Sequence, residues 1–346
     1  MPGIHDQRAM AELGRRLRVD PYRLRRLRTV FYKKQAGPER ALEELPPDVR
    51  DRFAAEVGFH SLGLAGARDS KVDGATKLLF RTRGGHLIES VILRIASGRT
   101  ALCVSSQAGC AADCAFCATG RMGLAANLAA EEILDQVVQA NQRLAAEQRR
   151  VRNVVFMGMG EPFHNEENLT RALEVLRAAD GFCFEERRLL VSTVGIPDAM
   201  VRCAERFRRI GMALSLHSAR QEVRERIVPM ARRHDLKALR EALREVTRLR
   251  DDGVMIEYTL LRGINDGPED LEALARYVEG LRVHINLIPY NPIASAPELE
   301  GTPPAEREAF AKELKGRGLK VTIRYSLGAD ISAACGTLAT ERRRGF

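Results

Sequence analysis

Long apolar stretches are missing from this 346-residue sequence, and so are several other common signals. No apolar run approaches the ~20 residues of a membrane span, so we expect no membrane partner. The N-terminal residues are polar and include no apolar segment typical of secretory signals, so we expect a cytoplasmic protein. Tandem repeats and low-complexity stretches are also lacking. These absences favour an ordinary soluble protein, in keeping with 45% hydrophobic and 29% charged residues.

Cysteine is scarce, with seven residues in the whole chain, and an odd number favours metal or catalytic duty over a disulfide framework. Cys110, Cys114 and Cys117 form a CxxxCxxC motif, and no second close pair completes a four-ligand structural zinc site. Three thiolates can hold three irons of a [4Fe–4S] cluster and leave the fourth iron open for chemistry. Zinc completed by a remote ligand such as His217 remains an alternative, as does ordinary packing of small thiols.

Positive charge is in excess, at a formal net charge of +9. That surplus favours a polyanionic partner, of which nucleic acid is the commonest, although a basic proteome would produce it too. Residues 1–62 predict basic helices, because Leu24, Leu27, Val30 and Phe31 share one helical face and Arg and Lys fill the other. We expect an N-terminal helical domain that binds RNA or DNA phosphates, with a solvated helical bundle as the alternative.

Short apolar runs alternate with amphipathic stretches over residues 98–346. The runs predict strands at 100–105, 153–158, 188–193, 211–216, 254–260, 283–288 and 319–324. The stretches predict helices at 129–148, 166–179, 197–207, 235–249, 268–279 and 304–315. This alternation predicts an α/β fold, a partial (β/α)6-type barrel with parallel strands. Residues 63–97 predict a β-hairpin linker with strands at 76–82 and 86–93.

Small and polar residues occur where the predicted strands end, and such ends meet at the ligand-binding rim of a barrel. They are Cys103, the run Gly158-Met159-Gly160-Glu161-Pro162, Ser192, Ser215-Leu216-His217, Asn291 and a late loop that contains Cys335. Glycine allows the backbone to approach a ligand, although tight turns favour it as well. A cysteine in a loop of small residues is accessible to a substrate, with an inert thiol as the alternative reading. Glu89, inside a hairpin strand, is expected to face solvent.

The chain resembles the RlmN/Cfr family of radical S-adenosylmethionine RNA methyltransferases. The resemblance rests on five blocks in the same order: Ala101–Gly120 with its three-cysteine motif, Met157–Pro162, Ser215–His217, Asn286–Pro292 and Asp330–Gly336. CxxxCxxC alone is typical of radical-SAM enzymes in general. A cysteine seven residues before the motif, together with a late Ala-Ala-Cys-Gly, is far more specific.

The resemblance implies a radical-SAM barrel and a role for each matched residue. Cys110, Cys114 and Cys117 would bind a [4Fe–4S] cluster whose open iron chelates S-adenosyl-L-methionine. The residues implied to hold that cofactor are Gly160, Glu161, Ser192, Ser215, Leu216, His217 and Asn291. Cys335 would carry a methyl group from a first cofactor molecule and, after radical activation by a second, deliver its carbon to adenine. Cys103 would release the product and leave a Cys103–Cys335 disulfide, and Glu89 would accept a proton.

The resemblance also implies the substrate and the partners. The favoured reaction is methylation of adenine C2 in 23S rRNA at the peptidyl-transferase centre, and many relatives also act on the tRNA adenosine 3′ of the anticodon. Cfr-like methylation at C8, which gives antibiotic resistance, is the alternative within the family. Outside it, the alternatives are a radical-SAM enzyme acting on a protein or peptide and a zinc-containing RNA-binding protein. We expect an electron donor such as flavodoxin or ferredoxin, and a monomer.

Overall fold

The computed structural model describes residues 2–339. Met1 and residues 340–346 lie outside the described residues. They are the outer ends of the predicted regions 1–62 and 98–346. The helices are α1 (Gln7–Arg16), α2 (Pro21–Lys33), α3 (Pro38–Leu42), α4 (Pro47–Glu56), α5 (Ala118–Arg121), α6 (Ala130–Ala145), α7 (Glu166–Arg177), α8 (Pro197–Arg206), α9 (Gln221–Ile227), α10 (Leu236–Leu249), α11 (Pro268–Val278) and α12 (Pro304–Gly316). Short 3-10 turns occur at Pro162–Asn165, Glu186–Arg188, Pro229–Arg232 and Ala329–Ile331.

Twelve strands form two sheets in the described part of the chain. The strands are β1 (Gly63–Asp69), β2 (Ala75–Arg81), β3 (Leu87–Arg94), β4 (Thr100–Cys103), β5 (Gln107–Cys110), β6 (Gly123–Asn127), β7 (Asn153–Phe156), β8 (Leu189–Thr193), β9 (Gly211–Ser215), β10 (Val254–Leu260), β11 (Val283–Pro289) and β12 (Val321–Ile323). The large sheet has the order β1-β2-β3-β4-β7-β8-β9-β10-β11-β12, and β5 pairs with β6 in a separate hairpin.

The parallel part of the large sheet is the barrel that the sequence predicts. Strands β4, β7, β8, β9, β10, β11 and β12 run parallel, and each successive pair is joined by a helical crossover. All seven predicted strands and all six predicted helices of this region are confirmed, with ends that differ by a few residues. Strands β1 and β12 are the two edges of the sheet, so this is a partial barrel and not a closed one.

The predicted hairpin is present, but it is part of the barrel sheet. Strand β3 pairs antiparallel with β4 and places Val91 opposite Cys103. Strand β1, which the apolar pattern did not predict, adds to the outer side of β2. The hairpin therefore widens the wall of the barrel beside the predicted rim.

The N-terminal helices pack on the barrel through the same continuous apolar core. Leu27, Val30 and Phe31 of α2 are buried in it, as the helical periodicity predicts. The basic face is only partly solvated, because Arg28 is buried and forms an ion pair with Asp180 at 2.7 Å. No helix among residues 2–339 combines the length and apolar character needed to cross a membrane.

Candidate active site

The carboxyl ends of the parallel strands surround a cavity. Ten residues predicted from the sequence line it: Cys110, Cys114, Cys117, Gly160, Glu161, Ser192, Ser215, His217, Asn291 and Cys335. They come from segments up to 225 positions apart in the chain, and the barrel topology brings them together. Of the remaining predicted residues, Cys103 lies in an adjoining cavity, while Leu216 and Glu89 line neither of these two.

The three-cysteine loop is held by its own backbone and by a contact to the barrel. Cys110 ends β5, and the amide of Cys117 donates to the carbonyl of Cys114 at 3.1 Å. A Cβ on Gly120 would lie 2.9 Å from the Cys114 nitrogen, so α5 can approach the loop this closely only with glycine there. The amide of Ala115 donates to the carbonyl of Ile227 at 2.9 Å, which fixes the loop on the C-terminal end of α9.

The three cysteines line one cavity, and thiolate sulfur is the donor that holds iron–sulfur clusters. Burial raises the pKa of Cys110 to about 12 and that of Cys114 well above its ordinary value. Bound metal reverses this effect, because a coordinating thiol loses its proton. Among residues 2–339, no group of three or more His, Cys, Asp or Glu side chains is arranged to hold a metal ion. In a [4Fe–4S] cluster each cysteine thiolate binds a different iron, so the three sulfurs do not have to meet at a single metal ion.

His217 is held as a neutral ring in the cavity wall. Its Nδ1 accepts a hydrogen bond from the Thr259 amide at 3.0 Å, and its ring packs edge-on against Phe116 at 4.5 Å between centroids. Burial lowers the pKa of His217 to about 3, so the imidazole stays uncharged at neutral pH. The side chain therefore contributes shape and a neutral ring to the cavity.

Gly160 and Glu161 turn the chain sharply after β7. Gly160 has a φ of +102°, and a Cβ there would lie 2.6 Å from the Gln107 Cβ, so only glycine fits. The Glu161 carboxylate accepts from the amides of Phe163 at 3.0 Å and Val194 at 2.8 Å. Burial raises its pKa to about 7. Glu161 thus ties two strand ends together while it lines the cavity.

Two serines add hydroxyl groups on neighbouring strands. The Ser192 Oγ lies 3.4 Å from the Ser215 Oγ, and both residues are half-buried. Leu216 is different, because its side chain is fully buried in the core and only its backbone is near the site. Its carbonyl accepts from Arg224 Nε at 3.1 Å, and Arg224 also donates to the Val194 carbonyl at 2.5 Å. Arg224 therefore fastens the strand ends that frame the cavity, a role the sequence did not reveal.

The two predicted catalytic cysteines, Cys335 and Cys103, both line the second cavity. Cys335 is exposed and lines both cavities, whereas Cys103 is buried and lines only the second. Asn291 Nδ2 donates to the Cys335 carbonyl at 3.0 Å and to Ser326 Oγ at 3.1 Å, which holds the loop. Burial raises the pKa of Cys103 to about 12, and the nearby Arg324 guanidinium opposes that rise. Both cysteines are free thiols in this structure, so the implied disulfide is not formed here.

Glu89 corrects one expectation from the sequence, because it is 2% exposed and does not face solvent. It lies on the inner face of β3, and its Oε1 is 3.0 Å from Lys77 Nζ on the neighbouring strand. The same Lys77 nitrogen lies 3.4 Å from the carbonyl of Ser332, in the loop that carries Cys335. A segment more than 240 positions away covers this face, which the local pattern could not reveal.

A second buried acid was missed entirely. Glu257 of β10 lines the main cavity at 2% exposure, and Asn286 Nδ2 is 3.2 Å from each of its carboxylate oxygens. Arg324 Nη1 lies 3.9 Å from Glu257 Oε2 and also donates to Met157 Sδ at 3.4 Å. The signal was present in the sequence, because a charged residue inside an apolar parallel strand is unusual.

The fold and the cysteine motif agree with comparisons to known proteins. Residues 104–278 match the family model described as the Radical SAM superfamily. "Probable RNA methyltransferase RB6963" of Rhodopirellula baltica is 52% identical over 335 residues, which cover 97% of this chain and 87% of that protein. "Dual-specificity RNA methyltransferase RlmN" of Anaeromyxobacter dehalogenans is 39% identical over 342 residues, covering 97% and 90%.

A solved structure is similar over nearly the whole chain. A radical SAM methyltransferase from Sphaerobacter thermophilus matches with a TM-score of 0.91 and 38% sequence identity, over 97% of this chain and 99% of that one. The barrel and its cysteine loop define a radical-SAM enzyme. Within that class, the chain belongs to the RlmN/Cfr family of RNA methyltransferases.

Proposed function

We propose that this enzyme methylates C2 of an adenine in 23S rRNA at the peptidyl-transferase centre, and also the tRNA adenosine 3′ of the anticodon. The observation that carries the proposal is the position of Cys335, which lines the same cavity as Cys110, Cys114 and Cys117. Cys335 also lines the cavity that contains Cys103. A thiol that borders both cavities can receive a carbon group in the first cavity. In the second cavity, another thiol can attack its sulfur and so release the carbon.

In this proposal, Cys110, Cys114 and Cys117 hold the [4Fe–4S] cluster, and the cavity residues hold S-adenosyl-L-methionine. When bound, the two groups together supply a methyl donor and the one-electron chemistry that polar side chains lack. The half-buried Ser192 and Ser215 hydroxyls offer hydrogen bonds to a polar ligand. The buried strand ends exclude bulk water from the rest of the wall.

The proposal gives separate chemical roles to Cys335, Cys103 and Glu89. Cys335 carries the carbon, and its loop is positioned by the Asn291 hydrogen bond to its carbonyl. Cys103 frees the product when its thiolate attacks the Cys335 sulfur. The S–S bond forms as the sulfur–carbon bond breaks, the carbon keeps the electron pair and takes up a proton to become the methyl group, and the disulfide left behind must be reduced. Glu89, held by Lys77 at 3.0 Å, lines neither cavity, so in this proposal it accepts the proton lost from the adenine ring carbon through a bridging water.

The chemistry of adenine supports a sulfur-tethered carbon. C2 of the ring is an electron-poor amidine carbon, so it does not attack a sulfonium methyl group as a nucleophile would. Two thiols are needed instead, one to carry the carbon and one to release the product. Methylation at C8, the Cfr-like reaction, would use the same residues and is the second candidate. Arg23 and Arg25 of α2 are exposed, which supports residues 1–62 as a surface for RNA phosphates.

The test is mass spectrometry of nucleosides from 23S rRNA and tRNA after reaction with the reconstituted enzyme, S-adenosyl-L-methionine and a reductant. We expect 2-methyladenosine with the wild type and none with Cys335→Ala. Cys183→Ala is the matched control, because Cys183 is exposed and lines neither cavity described above. The appearance of 8-methyladenosine would establish the Cfr-like reaction instead. Cofactor cleavage without any RNA product would refute an RNA substrate and favour a protein or peptide target.

A further inference from the structure

Two large apolar side chains are exposed beside the three-cysteine loop. Met122 and Leu124 are 42% and 44% exposed. They flank Gly123 of β6, and Gly123 pairs directly with Cys110 in the β5–β6 hairpin. Paired residues on antiparallel strands lie about 5 Å apart, so this surface is one strand spacing from a proposed cluster ligand. We call Met122, Gly123 and Leu124 the β6 patch.

Three exposed arginines lie on or just after the segment that contacts the same loop. Ile227, whose carbonyl accepts from Ala115 of the cysteine loop, follows the exposed Arg226 of α9. The next turn ends with the exposed Arg232 and Arg233. Among residues 2–339, no acidic side chain forms an ion pair with any of these three arginines. They therefore leave uncompensated positive charge on the segment that contacts the cysteine loop.

We propose that the β6 patch and these arginines dock a small acidic one-electron carrier protein. The inference rests on the proposed function, in which the cysteine loop holds a cluster that must receive an electron. In the step, the reduced carrier loses one electron and the cluster site gains it, and no proton or group is transferred. Docking at β6 places the carrier one strand from Cys110, and no residue of the β6 patch lines the main cavity, which stays free for cofactor and RNA.

The chemistry of the surface favours such a carrier over RNA. The exposed Met122 and Leu124 side chains can make apolar contacts with a protein partner, whereas apolar side chains do not bind RNA phosphates. Positive charge at the margin steers an acidic partner toward the patch and sets its orientation. Asp113 is the exposed acid of the loop, and its carboxylate lies 3.6 Å from Arg121 Nη1, so its charge is partly compensated.

The test uses Leu124→Glu and Met122→Glu in the cluster-loaded enzyme, with flavodoxin as the probe. We expect the Kd for flavodoxin, measured by calorimetry, to rise about tenfold or more, because like charges then face each other at the interface. With reduced flavodoxin as donor, the KM for flavodoxin should rise in parallel. With dithionite, which is small and needs no docking surface, the rate of cofactor cleavage should stay within twofold of the wild type.

Leu64→Glu is the matched control, because Leu64 is 53% exposed on the edge strand β1 and lies outside the β6 patch. Arg232→Glu with Arg233→Glu should also weaken flavodoxin binding and reduce its dependence on salt. An unchanged Kd in all these variants overturns the proposal. A higher KM for RNA in the dithionite reaction also overturns it and assigns the patch to RNA. If the wild type modifies no RNA with either donor, the proposed function fails, whereas the flavodoxin Kd still tests the patch.

Discussion

The buried ion pair between Lys77 and Glu89 leads to a quantitative prediction about the stability of the protein. Lys77 and Glu89 have 8% and 2% exposed side chains, and their charged atoms are 3.0 Å apart. Lys77→Met removes the cation and leaves a charged carboxylate in the barrel wall. Breaking a buried pair from one side costs about 3–5 kcal/mol. We expect the free energy of unfolding to fall by that amount, measured by urea unfolding followed by circular dichroism.

Three further variants separate charge from shape in this prediction. Lys77→Arg keeps the charge and should recover part of the stability. The double variant Lys77→Met with Glu89→Gln should recover at least half of the loss, because both charges of the pair are then removed together. Lys71→Met is the control, since Lys71 is exposed and such changes stay within about 0.5 kcal/mol. Equal urea midpoints for Lys77→Met and Lys71→Met would refute the reasoning.

Three other predictions follow from single contacts. Gly160→Ala should weaken S-adenosyl-L-methionine binding at least tenfold by calorimetry, because its Cβ has no room; Gly263→Ala, also at positive φ but in open space, should not. Asp135→Ala should cost about 3 kcal/mol in urea unfolding, because its buried carboxylate accepts two backbone amides at 2.7 and 2.8 Å. Asn291→Ala should slow methylation of Cys335, followed by mass spectrometry of the intact protein, because the loop loses its anchor.

The parallel barrel could be predicted because each unit has a strong local signal. Strands such as β10 are short apolar runs, and helices such as α10 have one apolar face, so periodicity alone separates them. The rim followed from topology, because the carboxyl ends of parallel strands meet. Ten of the residues that line the cavity were therefore predictable without coordinates, whereas Glu257 was not.

The rest depends on contacts between distant segments. Strand β1 has the sequence Gly-Leu-Ala-Gly-Ala-Arg-Asp, which lacks alternation, and it forms because β2 offers an edge to pair with. The burial of Glu89 depends on the late loop, and Glu257 meets Arg324 across 67 positions. Such pairs are set by the register of the sheet, which no local pattern encodes.

The groups around the site can be placed in the order in which the proposed reaction would use them. Electrons would enter at β6, beside Cys110, and the cofactor would occupy the cavity between the cysteine loop and the strand ends. Cys335 borders that cavity and the next, where Cys103 and Arg324 lie. Glu89 is on the same inner wall, because Val91, two residues further along β3, pairs with Cys103. Because the β6 patch lines neither cavity, the proposed electron donor and the RNA would use different surfaces. Flavodoxin and RNA should therefore bind the enzyme together, in a ternary complex that sedimentation of the mixture would detect.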